Sequence, residues 1–337
     1  MNNRGITKSG KPLASLSLDL DNQWSYMKTH GDAGWESFPT YLDVVVPRFL
    51  EILGELNTKM TVFVVGQDAV LEKNHRALKS IHDAGHEVGN HSFHHEPWLH
   101  LYSPEEIERE VTQAEEAIQS ATGDRPIGWR GPGFSFSKPL LNVLAKRGYE
   151  YDGSTFPTYL GPLARAYYFL KSDLPKEELK KRSQLFGKFS EGFRPLKPYF
   201  WNTDHRDLLE IPVTTMPLFK VPMHASYILY FATYSEFLAK VYFKSALKLC
   251  RIFGIQPSLL LHPLDFIGGD DIAELAFFPA MQVPGAKKMK FMRWLLKAYT
   301  DHFEVVPMRE HADRCRESIH DARQVPEIGA DSARQAG

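Results

Sequence analysis

In "ASLSLDLD", residues 14–21, Leu16, Leu18 and Leu20 alternate with Ser15, Ser17, Asp19 and Asp21. A period of two belongs to a strand, so one face is leucine and the other is small and hydroxylic, turning acidic at its C-terminal end. "YLDVVVPRFLEILGELN" spaces its apolar residues as a helix does, despite Pro47. "KMTVFVVG" reads as a buried strand ended by Gly66, "HRALKSIHDAG" as a short helix with a glycine stop, and "HEVGNHS" as a short strand. "SPEEIEREVTQAEEAIQSATG" has the clearest helix signals: Ser103 as N-cap, Pro104 in the first turn, Glu106 closing a capping box and Gly123 past the end. Strand "IGWRG", helix "SKPLLNVLAKRG" and strand "YEYDGS" follow. "LLEIPVT", "PSLLLHPL" and "FEVVPM" predict three more strands, with helix "AKKMKFMRWLLKAYT" before the last.

Strands that alternate with helices form a parallel sheet, and about eight of them close into a barrel. The expected fold is therefore α/β, a distorted (β/α) barrel of seven or eight strands in a single domain over residues 13–312. Residues 1–12 form an N-terminal extension. Aromatic-rich insertions, about 158–206 and 217–256, interrupt the alternation; the second contains one helix. The polar tail, 313–337, is expected to be disordered.

Composition narrows the function. The 337 residues are 43% hydrophobic and 24% charged, with a formal net charge of -1, so no global field favours nucleic acid. Two cysteines, Cys250 and Cys315, are too few for a disulfide framework or a thiolate zinc site. No apolar core of a secretory signal precedes the first strand, which leads to the expectation of a cytoplasmic protein. The longest apolar uncharged run, "VPMHASYILYFATYS" at 221–235, is shorter than the roughly 20 residues of a membrane span.

Four polar clusters fall at predicted strand ends, where barrels of this kind carry their chemistry. Asp19 and Asp21 share a strand face, and two carboxylates so close repel unless a cation separates them or one is protonated. "GNHSFHH" brings three histidines within five positions: His91 and His95 are spaced i,i+4, His91 and His94 i,i+3, and either pair could meet on one helical face. Two imidazoles, a carboxylate and an open position make a hydrolytic zinc site. Arg130 in "GWRGPGF" could hold a carboxylate ionised, or simply occupy a surface turn. His262 ends the run "LLLHPLD", either as a satisfied core histidine or as a functional group oriented by Asp265.

In this order the clusters resemble the motifs of the polysaccharide deacetylase family, the NodB-homology or carbohydrate esterase family 4 proteins. "SLDLD" is similar to the first motif, "HSFHH" to the second, "RGPGF" to the third and "LLLHPLD" to the last; the likeness covers about 13–155 and 208–310. It implies that Asp21, His91 and His95 hold one divalent metal ion, zinc first, with cobalt, nickel or manganese as alternatives. It also implies that Asp19 is the general base, that Arg130 orients and ionises it, that the Gly133 amide completes an oxyanion hole, and that His262 is the general acid. His94 would be a neighbour of the metal ligands, and Asp152, in a reduced fourth motif, would hold Arg130 or His262. The acids are separated by Leu20, a D-x-D form that resembles the branch of lipid-linked aminoarabinose deformylases and allantoinase-like proteins.

The implied activity is hydrolysis of an N-acyl amide, foremost an N-acetyl group on a sugar, with an intracellular glycan precursor or lipid-linked sugar as substrate. The alternatives are a cyclic amide hydrolase of the allantoinase-like branch and a non-catalytic glycan-binding barrel. In the insertions, "RAYYFLK" and "HASYILYFATYSEF" set aromatics beside basic residues; they form either a lid on the barrel mouth or a surface for peripheral membrane contact, at the inner face if the protein is cytoplasmic.

Overall fold

The computed structural model describes residues 10–160 and 189–318. Among the described residues nine strands form one sheet: β1 (Leu13–Leu20), β2 (Thr61–Val64), β3 (Glu87–Asn90), β4 (Gly128–Trp129), β5 (Tyr151–Asp152), β6 (Tyr199–Trp201), β7 (Leu208–Glu210), β8 (Ser258–Leu261) and β9 (Glu304–Val306). The order is β6-β7-β5-β4-β3-β2-β1-β8, with β9 also pairing with β1. Every pairing is parallel except β6 with β7. The sheet curls until the chain beyond β7 meets β8, where the Thr214 amide donates to the Ser258 carbonyl at 3.1 Å. This is the distorted (β/α) barrel expected from the alternation, with one strand more.

β1 shows why alternation was a sound guide. Leu16, Leu18 and Leu20 pack into the outer core among helices such as Leu42–Glu55. The opposite face lines the interior as a polar column. Ser15 Oγ meets His311 Nδ1 at 2.8 Å, and Ser17 Oγ accepts from Arg130 at 3.3 Å. Asp19 and Asp21 follow at the C-terminal mouth. The interior is too narrow for Cβ atoms everywhere: one built on Gly128 would lie 2.1 Å from the Tyr151 ring.

Helix Met308–Ser318 closes the opposite end. The Met308 amide donates to Thr61 Oγ1 at 2.7 Å and the Arg309 amide to Glu87 Oε2 at 2.9 Å. Its buried Ala312 and Cys315 pack with Phe63 and Tyr151. The first six residues of the expected disordered tail, 313–318, are therefore helical, because apolar residues every three or four positions cover the barrel floor. The rest of the tail lies outside the described residues, as do residues 1–9 of the N-terminal extension.

The insertions hold more structure than their composition signalled. β6 lies in the first; its three residues, Tyr-Phe-Trp, are too few to show a period. "RAYYFLK" lies outside the described residues. The second contains two helices where one was expected, Ala225–Tyr234 and Glu236–Ile252. Ser235 ends the first and caps the second, its side chain accepting from the Leu238 amide at 3.3 Å. No helix among the described residues is long and apolar enough to cross a membrane.

Candidate metal centre and active site

Three side chains converge at the barrel mouth. Asp21 Oδ1 lies 3.3 Å from His91 Nε2 and 2.9 Å from His95 Nε2. One ligand atom from each falls within 4.8 Å of the others. Asp21 Oδ1 is buried yet accepts no aligned hydrogen bond. The imidazole nitrogens and the carboxylate oxygen thus face a common point instead of pairing as donor and acceptor, and this donor set suits a divalent cation such as zinc. Burial would push the Asp21 carboxyl up, but His95 and His91 outweigh it and hold it well below the ordinary carboxylate range. Burial opposes a charge on His91, yet Asp19 and Asp21 win there and raise its pKa.

The histidines do not meet on a helix. Ser92 and His95 both have positive φ, 62° and 54°, so the chain folds back in a tight turn. A non-glycine residue in this region costs about 1 kcal/mol or more, and local bonds offset it. The Ser92 amide donates to Asn90 Oδ1 at 2.9 Å and the His95 amide to Ser92 Oγ at 3.1 Å. Glu110, from helix Pro104–Thr122, accepts the Phe93 and His94 amides at 3.0 and 3.1 Å. His94 itself turns away from the centre and bonds through Nδ1 to Glu110. Its place beside the metal ligands is thus in the backbone of the turn, while its ring braces the loop.

Arg130 is fully buried and serves the centre twice. Its carbonyl accepts from His91 Nδ1 at 2.7 Å, which leaves Nε2 directed at Asp21. Its guanidinium lies 3.6 Å from Asp19 Oδ1 and over the Phe63 ring at 4.9 Å. A surface arginine is excluded. Gly133 sits in the turn Pro132–Phe134 at φ 57°, and a Cβ there would approach Pro97, just past the histidines, at 3.1 Å.

Two predicted partnerships differ. Asp152 makes its hydrogen bonds with Ser154, through the amide at 3.1 Å and the hydroxyl. Ser154 Oγ in turn accepts the Gly131 amide at 2.8 Å, so Asp152 shapes the Gly131 turn and reaches Arg130 through its field alone. Asp265 does not hold the His262 ring: its carboxylate accepts the His262 backbone amide at 2.8 Å. The ring is held by Ser226, whose Oγ lies 3.0 Å from Nδ1.

Sequence reasoning missed Ser226, His224 and Glu210. His224 is buried, stands 5.6 Å from the His262 ring, and has an Nδ1 without a partner. Burial, helped by His262 and Arg130, drives its pKa well below the usual histidine value, so it is neutral. The signal was a histidine inside an otherwise apolar run. Glu210 neighbours Asp152 in register on β7; burial and then Asp152 push its pKa well up. A carboxylate in the middle of "LLEIPVT" was the available sign.

The family model described as polysaccharide deacetylase matches residues 32–151. The match holds the histidine and Arg130 motifs, while Asp19, Asp21 and His262 lie outside it. Over 149 residues the chain is 33% identical to a peptidoglycan deacetylase of Helicobacter pylori, covering 42% of this chain and 49% of that one. Over 111 residues it is 30% identical to a peptidoglycan-N-acetylmuramic acid deacetylase of Bacillus subtilis, covering 33% of this chain and 41% of the other. The chain thus spans about half the length of the curated relatives it matches, or less. A Mycobacterium smegmatis structure named for the polysaccharide deacetylases shares the fold, with a TM-score of 0.57 at 18% identity over 94% of this chain and 95% of that one. The family likeness thus rests on residues 32–151, and the shared fold extends over nearly the whole chain.

Proposed function

We propose that this protein is a metal-dependent hydrolase of N-acyl amides, removing an acetyl group from an amino sugar of a glycan or glycan precursor. The observation that carries the reading is the convergence of Asp21, His91 and His95 on one point beside a second carboxylate, Asp19. Peptidoglycan amino sugars enter the candidate list through the relatives' names.

A divalent ion held by Asp21, His91 and His95 supplies, when bound, a polarising charge for the amide carbonyl and an acidified water. The Arg130 guanidinium stands beside Asp19 and fixes its position, and Asp19 is the group that takes the proton from attacking water. The Gly133 amide serves in this reading as the backbone donor for developing negative charge on the carbonyl oxygen; one such donor is commonly worth about 3 kcal/mol. His262 gives a proton to the departing amine, its ring fixed by Ser226. His224, kept neutral by its burial, stands beside that ring at 5.6 Å.

The test is acetate release from N-acetylglucosamine oligomers and N-acetylmuramic acid-containing fragments. Protein stripped by chelator is compared with protein reloaded with zinc, cobalt or manganese. Acetate released only by the reloaded protein supports the reading. Full activity after stripping overturns it, as does ring opening of a cyclic amide with no acetate from any sugar.

A further inference from the structure

The helical insertion that braces the active site exposes a large apolar surface. Ser226 and Tyr227 begin helix Ala225–Tyr234 against His262 and His224. The helix ends at Tyr234, 72% exposed, and the next begins with Phe237 and Leu238, 74% and 51% exposed. Val241 follows one turn on, and Leu218 and Phe219, 63% and 64% exposed, project from the preceding turn. These positions belong to one surface: Tyr242 Oη donates to the Pro222 carbonyl at 2.8 Å, tying the turn to the second helix, and its ring meets Phe231 of the first at 6.1 Å. Soluble monomers rarely leave so many large apolar side chains together in water.

The charge around the patch selects its partner. Residues 217–256 contain five basic residues, Lys220, Lys240, Lys244, Lys248 and Arg251, against the single acidic Glu236. Lys244 and Lys248 are exposed and form no ion pair among the described residues. The whole chain has a net charge of -1, so this excess is local. Tyrosine, phenylalanine and leucine flanked by lysines, on a face beside the mouth of the site, match the interfacial zone of an anionic bilayer.

We propose that this face, turn 217–221 with helices Ala225–Tyr234 and Glu236–Ile252, seats the protein on an anionic lipid surface. The apolar side chains enter the headgroup boundary and the lysines meet lipid phosphates. The attraction of basic residues to such a surface weakens as salt screens it. The His262 side of the site adjoins the seated face. If the deacetylase reading also holds, a sugar carried on a lipid would reach the mouth without leaving the membrane plane.

The test is flotation of the full chain with vesicles of phosphatidylglycerol and phosphatidylcholine, against phosphatidylcholine alone, at low and high salt. Expected are co-flotation with anionic vesicles that weakens with salt, a more than tenfold loss for Phe237→Ser/Leu238→Ser, and loss of the anionic preference for Lys244→Glu/Lys248→Glu. An unchanged thermal midpoint shows that the variants fold. The proposal is overturned if the wild-type chain does not float with anionic vesicles at low salt, or if neither double variant alters its binding. It is equally overturned if Phe237→Ser/Leu238→Ser merely converts a self-associated species to monomer, which would make the face an interface between copies. Lipid binding needs no turnover, so failure here is distinct from failure of the hydrolase assignment.

Discussion

The ring of His91 hangs from the backbone of Arg130, Nδ1 donating to that carbonyl at 2.7 Å. One residue therefore sets the direction of an imidazole with its main chain and faces Asp19 with its side chain. His91→Ala is expected to lower zinc affinity more than about 100-fold, above the range typical of outer-sphere partners, and to abolish hydrolysis. Zinc titration calorimetry checks the first and acetate release the second. Wild-type zinc affinity in this variant would remove His91 from the centre.

Ser226→Ala removes the hydroxyl that holds His262. A neutral hydrogen bond of this kind is worth about 1 kcal/mol, or roughly a fivefold effect. The loss is expected in kcat with KM little changed, because the ring stays but its orientation is no longer fixed. Steady-state kinetics across pH would show it; an unchanged kcat would leave Ser226 with packing alone.

Asp68 is buried, with one oxygen accepting from Asn22 Nδ2 at 2.7 Å and Trp24 Nε1 at 2.9 Å. Burial lifts its pKa from 3.8 to about 7. A folded-state pKa above the unfolded one gives stability that is complete below about pH 4 and lost as pH rises to about 7, at up to ~1.4 kcal/mol per pH unit. Asp68→Asn keeps the accepting oxygen and removes the charge. Its chemical-denaturation stability is expected to exceed that of the unaltered chain by a few kcal/mol above pH 7, with the two curves converging near pH 4.

His311 acts with the opposite sign. It is buried beside Ser15 and Gln256, and burial depresses its pKa from 6.5 to about 4. Its contribution is present above about pH 6.5 and lost as pH falls to about 4, because the unfolded chain takes up the proton first. His311→Gln is expected to flatten the acid limb of the stability curve by up to ~1.4 kcal/mol per pH unit in that window. Equal slopes in both chains would show that His311 does not titrate on unfolding.

These residues also mark what a linear reading can reach. Asp19 and Asp21 were placed on one strand face by period alone, and the capping box at Ser103 and Glu106 is present as read. Both are local: the signal and the structure lie within a few residues. Helical spacing leaves His91 paired with either His94 or His95, and only the resemblance selects His95; the structure joins His91 and His95 through a turn with left-handed Ser92 and His95, positions no propensity marks. Asp265 was chosen as the partner of the His262 ring because it is near in sequence. The actual partner, Ser226, lies 36 positions away and meets it only through packing of the insertion. β6 escaped notice because three aromatic residues pair antiparallel at a sheet edge that is defined only once β7 exists.

β1 draws neighbours from opposite ends of the chain: Leu13 pairs with Glu304, and Ser17 with Thr61 and Leu260. During synthesis the amino-terminal strand emerges early and then waits for more than 200 residues before β8 and β9 can flank it. Through that interval its leucines and one unpaired edge stay open to other nascent chains. Contacts of such long sequence separation slow the final step. A ribosome-bound form of this protein therefore has a long window of dependence on chaperones, which ends only when the floor helix leaves the exit tunnel and docks.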